Sequence, residues 1–418
     1  MLYERWRQIA RERAAETALS EFPAGRHWTF AELAAAGEKQ PAADGSFVFA
    51  QGHSDTFILA VLRAWRDQAV LCPLEIGQSK PELPVPPKPA MHLKLTSATT
   101  GPARAVIFTA EQLAADAENI VTTMGLRTDW PNLGAISLAH SYGFSNLVLP
   151  LLLHGVPLVI VASPLPEIVR AAAGSISALT LAAVPALWRT WHETNTIPRQ
   201  TKLAISAGAP LSAALERNVF QARNLKIHNF YGSTECGGIA YDAAETPRDE
   251  DACVGPPMHH VRLDTDSSGC LRVASRAVGR GYWPQDDAAL GNGVFQTTDL
   301  CEFRDGRVFL RGRLGDQINI AGRKISPASI EIVLSAHPAV RECVVFGVPS
   351  DDADRGEIIV AGVVVRKTAS VEELKQFLLA RLPAWQVPRE WRFVDSLSEN
   401  RRGKISRAEW RRKFLARA

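Results

Sequence analysis

Apolar positions recur along this chain in two rhythms, one helical and one of short blocks. From Met1 to Leu19 apolar residues recur at helical spacing among Arg and Glu, which predicts an amphipathic helix. Residues 78 to 90 are rich in Pro and Lys and read as an extended connector. Leu93 to Leu95 then reads as a short strand running into a Ser/Thr/Gly loop at 96 to 101. Thr109, with Gln112 three residues on, has capping-box spacing and opens a helix. The most apolar stretch, Leu147 to Ala162, is interrupted by Pro150, His154, Gly155 and Pro157, well short of a membrane-spanning segment. It reads as a buried helix, a turn and the strand Leu158 to Val161. Lys202 to Ser206 predicts a strand, followed by a Gly/Pro loop and a helix from Ser212. Leu225 to Asn229 predicts another strand, with a second loop at 231 to 235. Strand–loop–helix alternation of this kind predicts an α/β fold with ligands at the strand C-terminal ends.

The rhythm changes near residue 313, where the elements become short. Ser326-Pro327 opens a helix as N-cap and first residue. Strands are expected at Glu342 to Gly347 and Ile358 to Val365, and Ser370 with Glu373 caps a helix through Arg381. A strand at Trp391 to Asp395 leads to a basic terminal helix. The expected division is therefore a large α/β domain over 1–313 and a small mobile α+β domain over 314–418.

Composition adds mainly exclusions. Over 418 residues, 47 basic side chains face 44 acidic ones for a net charge of +3, which gives no reason to invoke nucleic acid or a membrane surface. The local exception is Arg401 to Arg417, eight basic residues against Glu409, which reads as a solvated helix face or a docking face for an acidic partner. The six cysteines form no CxxC, and no His cluster has metal-ligand spacing, so a reducing, cytoplasmic setting is expected. The N-terminus lacks the apolar core of a signal peptide.

The strongest chemical signal is Leu95-Thr96-Ser97-Ala98-Thr99-Thr100-Gly101. Hydroxyls and free backbone N–H groups after a strand are what a polyphosphate tail needs, and Arg104 supplies a nearby cation. No GK[ST] ends the loop, so it is not a Walker A loop. The stretch LTSATTGPARAV resembles the TSGTTGxPKGV signature of the adenylate-forming superfamily, which holds acyl- and aryl-CoA synthetases, peptide-synthetase adenylation domains and luciferases. Ala98 and Ala105 stand where that signature has glycines, Ala103 where it has proline and Arg104 where it has lysine. Six further segments resemble the superfamily's motifs in order. They are His140-Ser141-Tyr142-Gly143, Ser206-Ala207-Gly208-Ala209-Pro210-Leu211, Tyr231-Gly232-Ser233-Thr234-Glu235, Thr297-Thr298-Asp299-Leu300, Gly312-Arg313-Leu314-Gly315-Asp316 and Asn400-Arg401-Arg402-Gly403-Lys404-Ile405.

The resemblance implies ATP-dependent activation of a small carboxylic acid to an acyl-adenylate, then transfer to a thiol of CoA or of a phosphopantetheine arm on an acyl carrier protein. Thr96, Ser97, Thr99, Thr100, Gly101 and Arg104 would hold phosphates, and Glu235, beside Ser233 and Thr234, would hold Mg²⁺. Tyr231 would stack on adenine, with Gly208, Ala209 and Pro210 on its other side and Gly232 next to it. Asp299, backed by Arg313, would take the ribose hydroxyls. Lys404 would sit between the carboxylate and the α-phosphate, with Thr100 and His140 as further catalytic candidates. The acid would lie among His140, Tyr142, Gly143, Val184, Ser206, Gly208, Tyr231, Gly232, Gly237 and Gly238, and an aryl or fatty acid is favoured. Gly315 takes the position of the domain pivot, and Gly322 that of the glycine beside the thiol's path. Two alternatives stay open on the sequence: an adenylating enzyme with a non-thiol acceptor, and a nucleotide-binding homologue with impaired catalysis.

Overall fold

A computed structural model describes residues 1–96, 104–350, 356–366, 368–397 and 406–416. The chain divides into two compact units. The first comprises Met1–Asp264, Arg272–Thr297 and Phe303–Phe309; the second comprises Thr265–Leu271, Thr298–Glu302 and Leu310–Ala418.

The first unit is built on an eight-stranded sheet. Its order is Gly237–Tyr241, Ile227–Ser233, Thr201–Ser206, Leu179–Ala183, Asn132–Gly134, Leu158–Val161, Thr17–Phe22 and Arg26–Thr29. The six inner strands run parallel, and the two edge strands are antiparallel to their neighbours. Such strands bury both faces, which is why Leu179–Ala183 is buried throughout and apolar except for Thr180. Leu133, Leu181, Ala204 and Ile227 from the strands join Val169, Trp188, Trp191, Leu215 and Val219 from helices in one core. Burying each of the larger side chains stabilises the unit by about 1.5–3 kcal/mol. Helix starts follow the chemistry of their caps. The Thr109 hydroxyl accepts from the Gln112 amide, and the Gln112 side chain accepts from the Thr109 amide at 2.8 Å, opening Ala110–Met124. The Ser212 hydroxyl accepts from the Leu215 amide at 3.2 Å, opening Ala213–Arg223 with a one-way cap.

A second, five-stranded sheet runs in the order Gly281–Trp283, Ala105–Phe108, His92–Leu95, Val70–Leu74 and Phe47–Gln51. His92–Leu95 and Ala105–Phe108 pair antiparallel from His92↔Phe108 to Leu95↔Ala105. The Thr96 amide and hydroxyl both donate to the Arg104 carbonyl, at 2.9 and 3.0 Å, closing the neck of the Ser/Thr-rich loop.

In the second unit Val340–Pro349, Glu357–Val365 and Glu390–Phe393 form a three-stranded sheet, its first pair antiparallel and its second parallel. Helices Pro327–Ser335 and Val371–Leu379 contribute Ile330, Leu334, Leu374 and Leu378 to the core on one side of that sheet. Phe414 and Trp410 of Arg407–Leu415 pack against Val344, Phe346 and Leu397. Arg407 bonds Glu331 at 3.0 Å and Asp316 at 2.8 Å, pinning the start of that helix.

Three sequence expectations need correction. The N-terminal helix ends at Glu12, and Thr17–Phe22 is a strand, because tertiary pairing with Leu158–Val161 overrides the helical spacing. The strand expected at Leu225–Asn229 runs over Ile227–Ser233, so Tyr231, Gly232 and Ser233 belong to a hairpin rather than to a loop. The reason is the following GGIAY segment, a partner strand that two glycines keep from reading as one. The expected strand Trp391–Asp395 is Glu390–Phe393. Among the described residues no helix is long and apolar enough to cross a membrane.

Candidate active site

The C-terminal ends of the parallel strands bring several of the singled-out segments together, as the α/β alternation predicts. Thr201–Ser206 ends at a fully buried Ser206, whose hydroxyl has no hydrogen-bond partner among the described residues. The chain then turns at Gly208, with φ +85°, and a Cβ placed there would stand 3.4 Å from Val184 Cγ1. Val184 follows Leu179–Ala183 directly, and Ala207 donates to the Ala183 carbonyl at 3.3 Å. Tyr142 bridges back to these strands. Its hydroxyl donates to the Ile205 carbonyl at 3.2 Å, and its ring lies 5.9 Å from that of Phe230. Burial pushes the Tyr142 phenol up, so it remains a donor. The Ser141 hydroxyl donates to that of Thr234 at 3.3 Å. His140 Nε2 lies 3.1 Å from Glu75 Oε1, which also accepts from the Ser137 hydroxyl at 2.7 Å. His140, Tyr142, Val184, Ser206, Gly208 and the Tyr231 hairpin thus converge in one unit.

The glycine pair after Glu235 rests on a buried polar post that the sequence reading missed. Asp116 accepts from the Gly238 amide at 3.3 Å and from the Ser145 hydroxyl at 2.6 Å, and Lys94 stands 3.6 Å from its carboxylate. Asp116 and Ser145 are almost fully buried, and so is Lys94. The available signal was Lys94 itself, a charge between two leucines in a short strand. Gly237 has φ +68°, and a Cβ there would overlap the Asp116 carboxylate. Gly237→Ala should therefore lower stability by about 1–3 kcal/mol through backbone strain and lost space. The check is thermal melting, with the acid KM rising if the pair floors the pocket; unchanged melting counts against the post.

Glu235 sits at the turn of the hairpin, its amide donating to the Ser233 hydroxyl at 3.2 Å. The Tyr282 hydroxyl donates to Glu235 Oε1 at 3.1 Å. Arg104 lies over the Tyr282 ring, its guanidinium carbon 3.4 Å from the ring centroid, and pairs with Asp287 at 2.7 Å. Tyr282 and Asp287 carried no sequence signal, and neither did Glu75. Among the described residues no group of three or more His, Cys, Asp or Glu could hold a metal on its own. One carboxylate beside the hydroxyls of Ser233 and Thr234 is a hard-oxygen donor set. It fits Mg²⁺, which is held by one or two carboxylates plus substrate phosphates.

In the second unit Arg313 Nε lies 2.8 Å from Asp299 Oδ1, bringing the two proposed ribose residues together. Gly315 occupies the single turn Leu314–Asp316. Gly322, with φ +81°, turns the hairpin between Ile318–Ile320 and Arg323–Ile325. A Cβ on either glycine would meet nothing within 4 Å. Ser97, Thr99, Thr100, Gly101 and Lys404 lie outside the described residues.

Comparison with known proteins bears on the same segments. The family model for AMP-binding enzymes matches residues 66–283, and that for the AMP-binding enzyme C-terminal domain matches residues 329–404. A 2-succinylbenzoate–CoA ligase of Bacillus velezensis is 30% identical over 354 residues, covering 80% of this chain and 71% of the relative. A fatty acid–[acyl-carrier-protein] ligase of Streptomyces coeruleorubidus is 34% identical over 232 residues, 50% of this chain and 44% of the relative. The o-succinylbenzoate CoA synthetase of Bacillus subtilis, solved with its acyl-adenylate intermediate, superposes with a TM-score of 0.84 at 21% identity, covering 97% of both chains. Two matched models spanning both parts of the chain, and a relative this similar over most of its length, establish that the chain belongs to the AMP-binding enzymes, the adenylate-forming superfamily.

Proposed function

We propose that this chain is an AMP-forming acid–thiol ligase that activates an aryl or fatty acid with ATP and passes the acyl group to CoA or an acyl-carrier-protein thiol. The observation that carries the reading is the convergence of Tyr142, Val184, Ser206, Gly208 and the Tyr231–Gly238 hairpin at the strand ends. There an acid pocket and an adenine surface would share a wall.

Carboxylate and triphosphate repel each other, so both must be neutralised and held in line. Arg104 and the Thr96 loop neck would take the phosphate tail, and Tyr231 with Gly208 to Pro210 the base. Glu235 would hold Mg²⁺, whose charge would offset that of the phosphate oxygens. Asp299 and Arg313 would take the ribose. Lys404 would meet the charge that builds as carboxylate joins α-phosphate. Tyr142 and Val184 would border the acyl group, and His140, oriented by Glu75, would face its carboxylate end. The unsatisfied hydroxyl of buried Ser206 supports a polar ligand atom beside it, because a buried donor without a partner costs about 1–3 kcal/mol. Gly315 and Gly322 would serve the swing and the thiol path, since neither carries a side chain that must clear a neighbour.

The relatives above are named for an aryl dicarboxylic acid with CoA and for a fatty acid with a carrier protein, so both substrate classes enter the test. On the basic terminal helix, Arg407 and Arg411 are engaged with Glu331, Asp316 and Glu357, which leaves fewer cations for a carrier protein. CoA is therefore the first acceptor to assay. A reducing, cytoplasmic setting is part of this reading, and no two of the six cysteines are joined in a disulfide.

The test is acid-dependent exchange of pyrophosphate into ATP over a panel of aryl, fatty and amino acids, followed by consumption of CoA or loaded carrier. Exchange with an aryl or fatty acid and thioester formation are expected. Exchange without thioester would point to an amine or hydroxyl acceptor. ATP binding with no exchange on any acid would sink the reading.

A further inference from the structure

The segment from Gly279 to Asp287 belongs to none of the motifs above, yet it touches the two charged groups the site depends on. Its Gly279 amide donates to the Glu235 carbonyl at 2.8 Å, and its Arg280 amide donates to the Ile107 carbonyl at 2.9 Å. Gly281–Trp283 then pairs antiparallel with Ala105–Phe108, setting Tyr282 opposite Val106 and Trp283 opposite Ala105. A Cβ at Gly279 would collide with Val106 and stand 3.1 Å from the Glu235 carbonyl, so the strap lies close against both elements. From this fixed backbone Tyr282 reaches in two directions. Its hydroxyl donates to Glu235 Oε1 at 3.1 Å, and its ring face carries the Arg104 guanidinium at 3.4 Å. Asp287, farther along the strap, pairs with the same guanidinium at 2.7 Å.

We propose that Tyr282 is a positioning residue that holds the Glu235 carboxylate and the Arg104 guanidinium in one frame, so that the metal and the triphosphate tail are received together. The inference rests on the reading of Glu235 as the carboxylate that holds Mg²⁺. The donated hydrogen bond engages one carboxylate oxygen and fixes the rotamer, which directs the remaining lone pairs. Hydrogen-bonded partners of metal-binding carboxylates set orientation, and their loss weakens metal affinity. On the other face the aromatic ring offers a cation a flat support without neutralising it. Asp287 does neutralise it, so an arriving phosphate takes over the partnership that Asp287 holds in this structure.

Tyr282→Phe removes the hydroxyl and keeps the ring beneath Arg104. Mn²⁺ binding to the full chain in the presence of ATP, followed by electron paramagnetic resonance, reads the metal site without turnover. The Mg²⁺ dependence of acid-driven pyrophosphate exchange is read beside it. The variant should raise the Mn²⁺ dissociation constant and the half-saturating Mg²⁺ about tenfold. Melting temperature and ATP KM at saturating Mg²⁺ should stay as in the wild type. Tyr282→Leu, which also removes the ring, should raise the ATP KM as well. Glu235→Gln should lose more metal affinity, and adding Tyr282→Phe to it should cost little further, because the two act through one contact. Wild-type Mn²⁺ affinity in Tyr282→Phe overturns the inference; so does full additivity in the double variant, or a lowered melting temperature with no change in metal affinity. Failure of the underlying reading looks different: the wild type itself then shows no pyrophosphate exchange with any acid of the panel and binds no Mn²⁺ with ATP, and the inference falls with it.

Discussion

Lys404→Ala should abolish acid-dependent pyrophosphate exchange, with a loss of about 10²–10³-fold or more, while thiolysis of a supplied acyl-adenylate continues near the wild-type rate. The forward step brings a carboxylate oxygen onto the α-phosphate, and negative charge accumulates between two anions that repel each other. An ammonium placed there acts on the transition state more than on either bound substrate, so its removal lowers kcat more than it raises KM. The second half-reaction begins from a mixed anhydride already formed and has no such charge to meet. The two rates should therefore separate in this variant. Arg407, three residues beyond Lys404, is tied to Glu331 and Asp316. That anchor lets Lys404→Ala be read as lost chemistry if the melting temperature is unchanged. Retained exchange, or equal loss of both half-reactions, would remove Lys404 from its proposed role.

Arg248→Ala should be the most damaging single truncation for the stability of the first unit. Glu216, Lys226, Asp242 and Arg248 form a buried network beneath the edge of the eight-stranded sheet. Glu216 accepts from Lys226 at 2.5 Å and from Arg248 Nε at 2.7 Å, and Lys226 also bonds Asp242 at 2.7 Å. Arg248 further donates to the carbonyls of Leu211 at 2.7 Å and Cys253 at 2.6 Å. Truncating one partner strands the opposite charge away from water, which typically costs about 3–5 kcal/mol. A fall in melting temperature on the order of 10 °C follows for a unit of this size. Leu211 closes the loop that would face adenine, so the ATP KM should rise as well. The control is Arg272→Ala, whose partner Asp264 lies 2.7 Å away with both side chains about half exposed. Water screens that pair, and its loss should cost about 0.5 kcal/mol or less. Equal effects of the two substitutions would mean that the buried network is not what holds this edge together.

Much of the molecule is legible in its sequence. The Thr109 capping box, the Ser212 cap and the strand at Lys202–Ser206 are local rules, and each stands close to where the spacing places it. The segments around Tyr142, Gly208 and Tyr231 stand out by motif register and Val184 by the family resemblance, and the strands that carry them bring them together. What failed to show is of one kind. The Thr17–Phe22 strand exists because a distant strand, Leu158–Val161, offers it a parallel edge. Ile227–Ser233 extends past its expected end because Gly237–Tyr241 folds back upon it. The first partner lies far outside any local window, and the second, though adjacent, is disguised by its two glycines.

The same division runs through the site. The candidate residues Glu235, Arg104, Asp299 and Lys404 are singled out by the sequence alone, because motif register is a local pattern of residue types and spacings. Their supports were decided only in three dimensions. Glu75 braces His140 across 65 positions, Asp116 props Gly238 across 122, and Tyr282 joins Glu235 to Arg104 from a strand with no motif of its own. A support needs a direction and a distance rather than a pattern, so long-range packing creates it and no local sequence rule announces it.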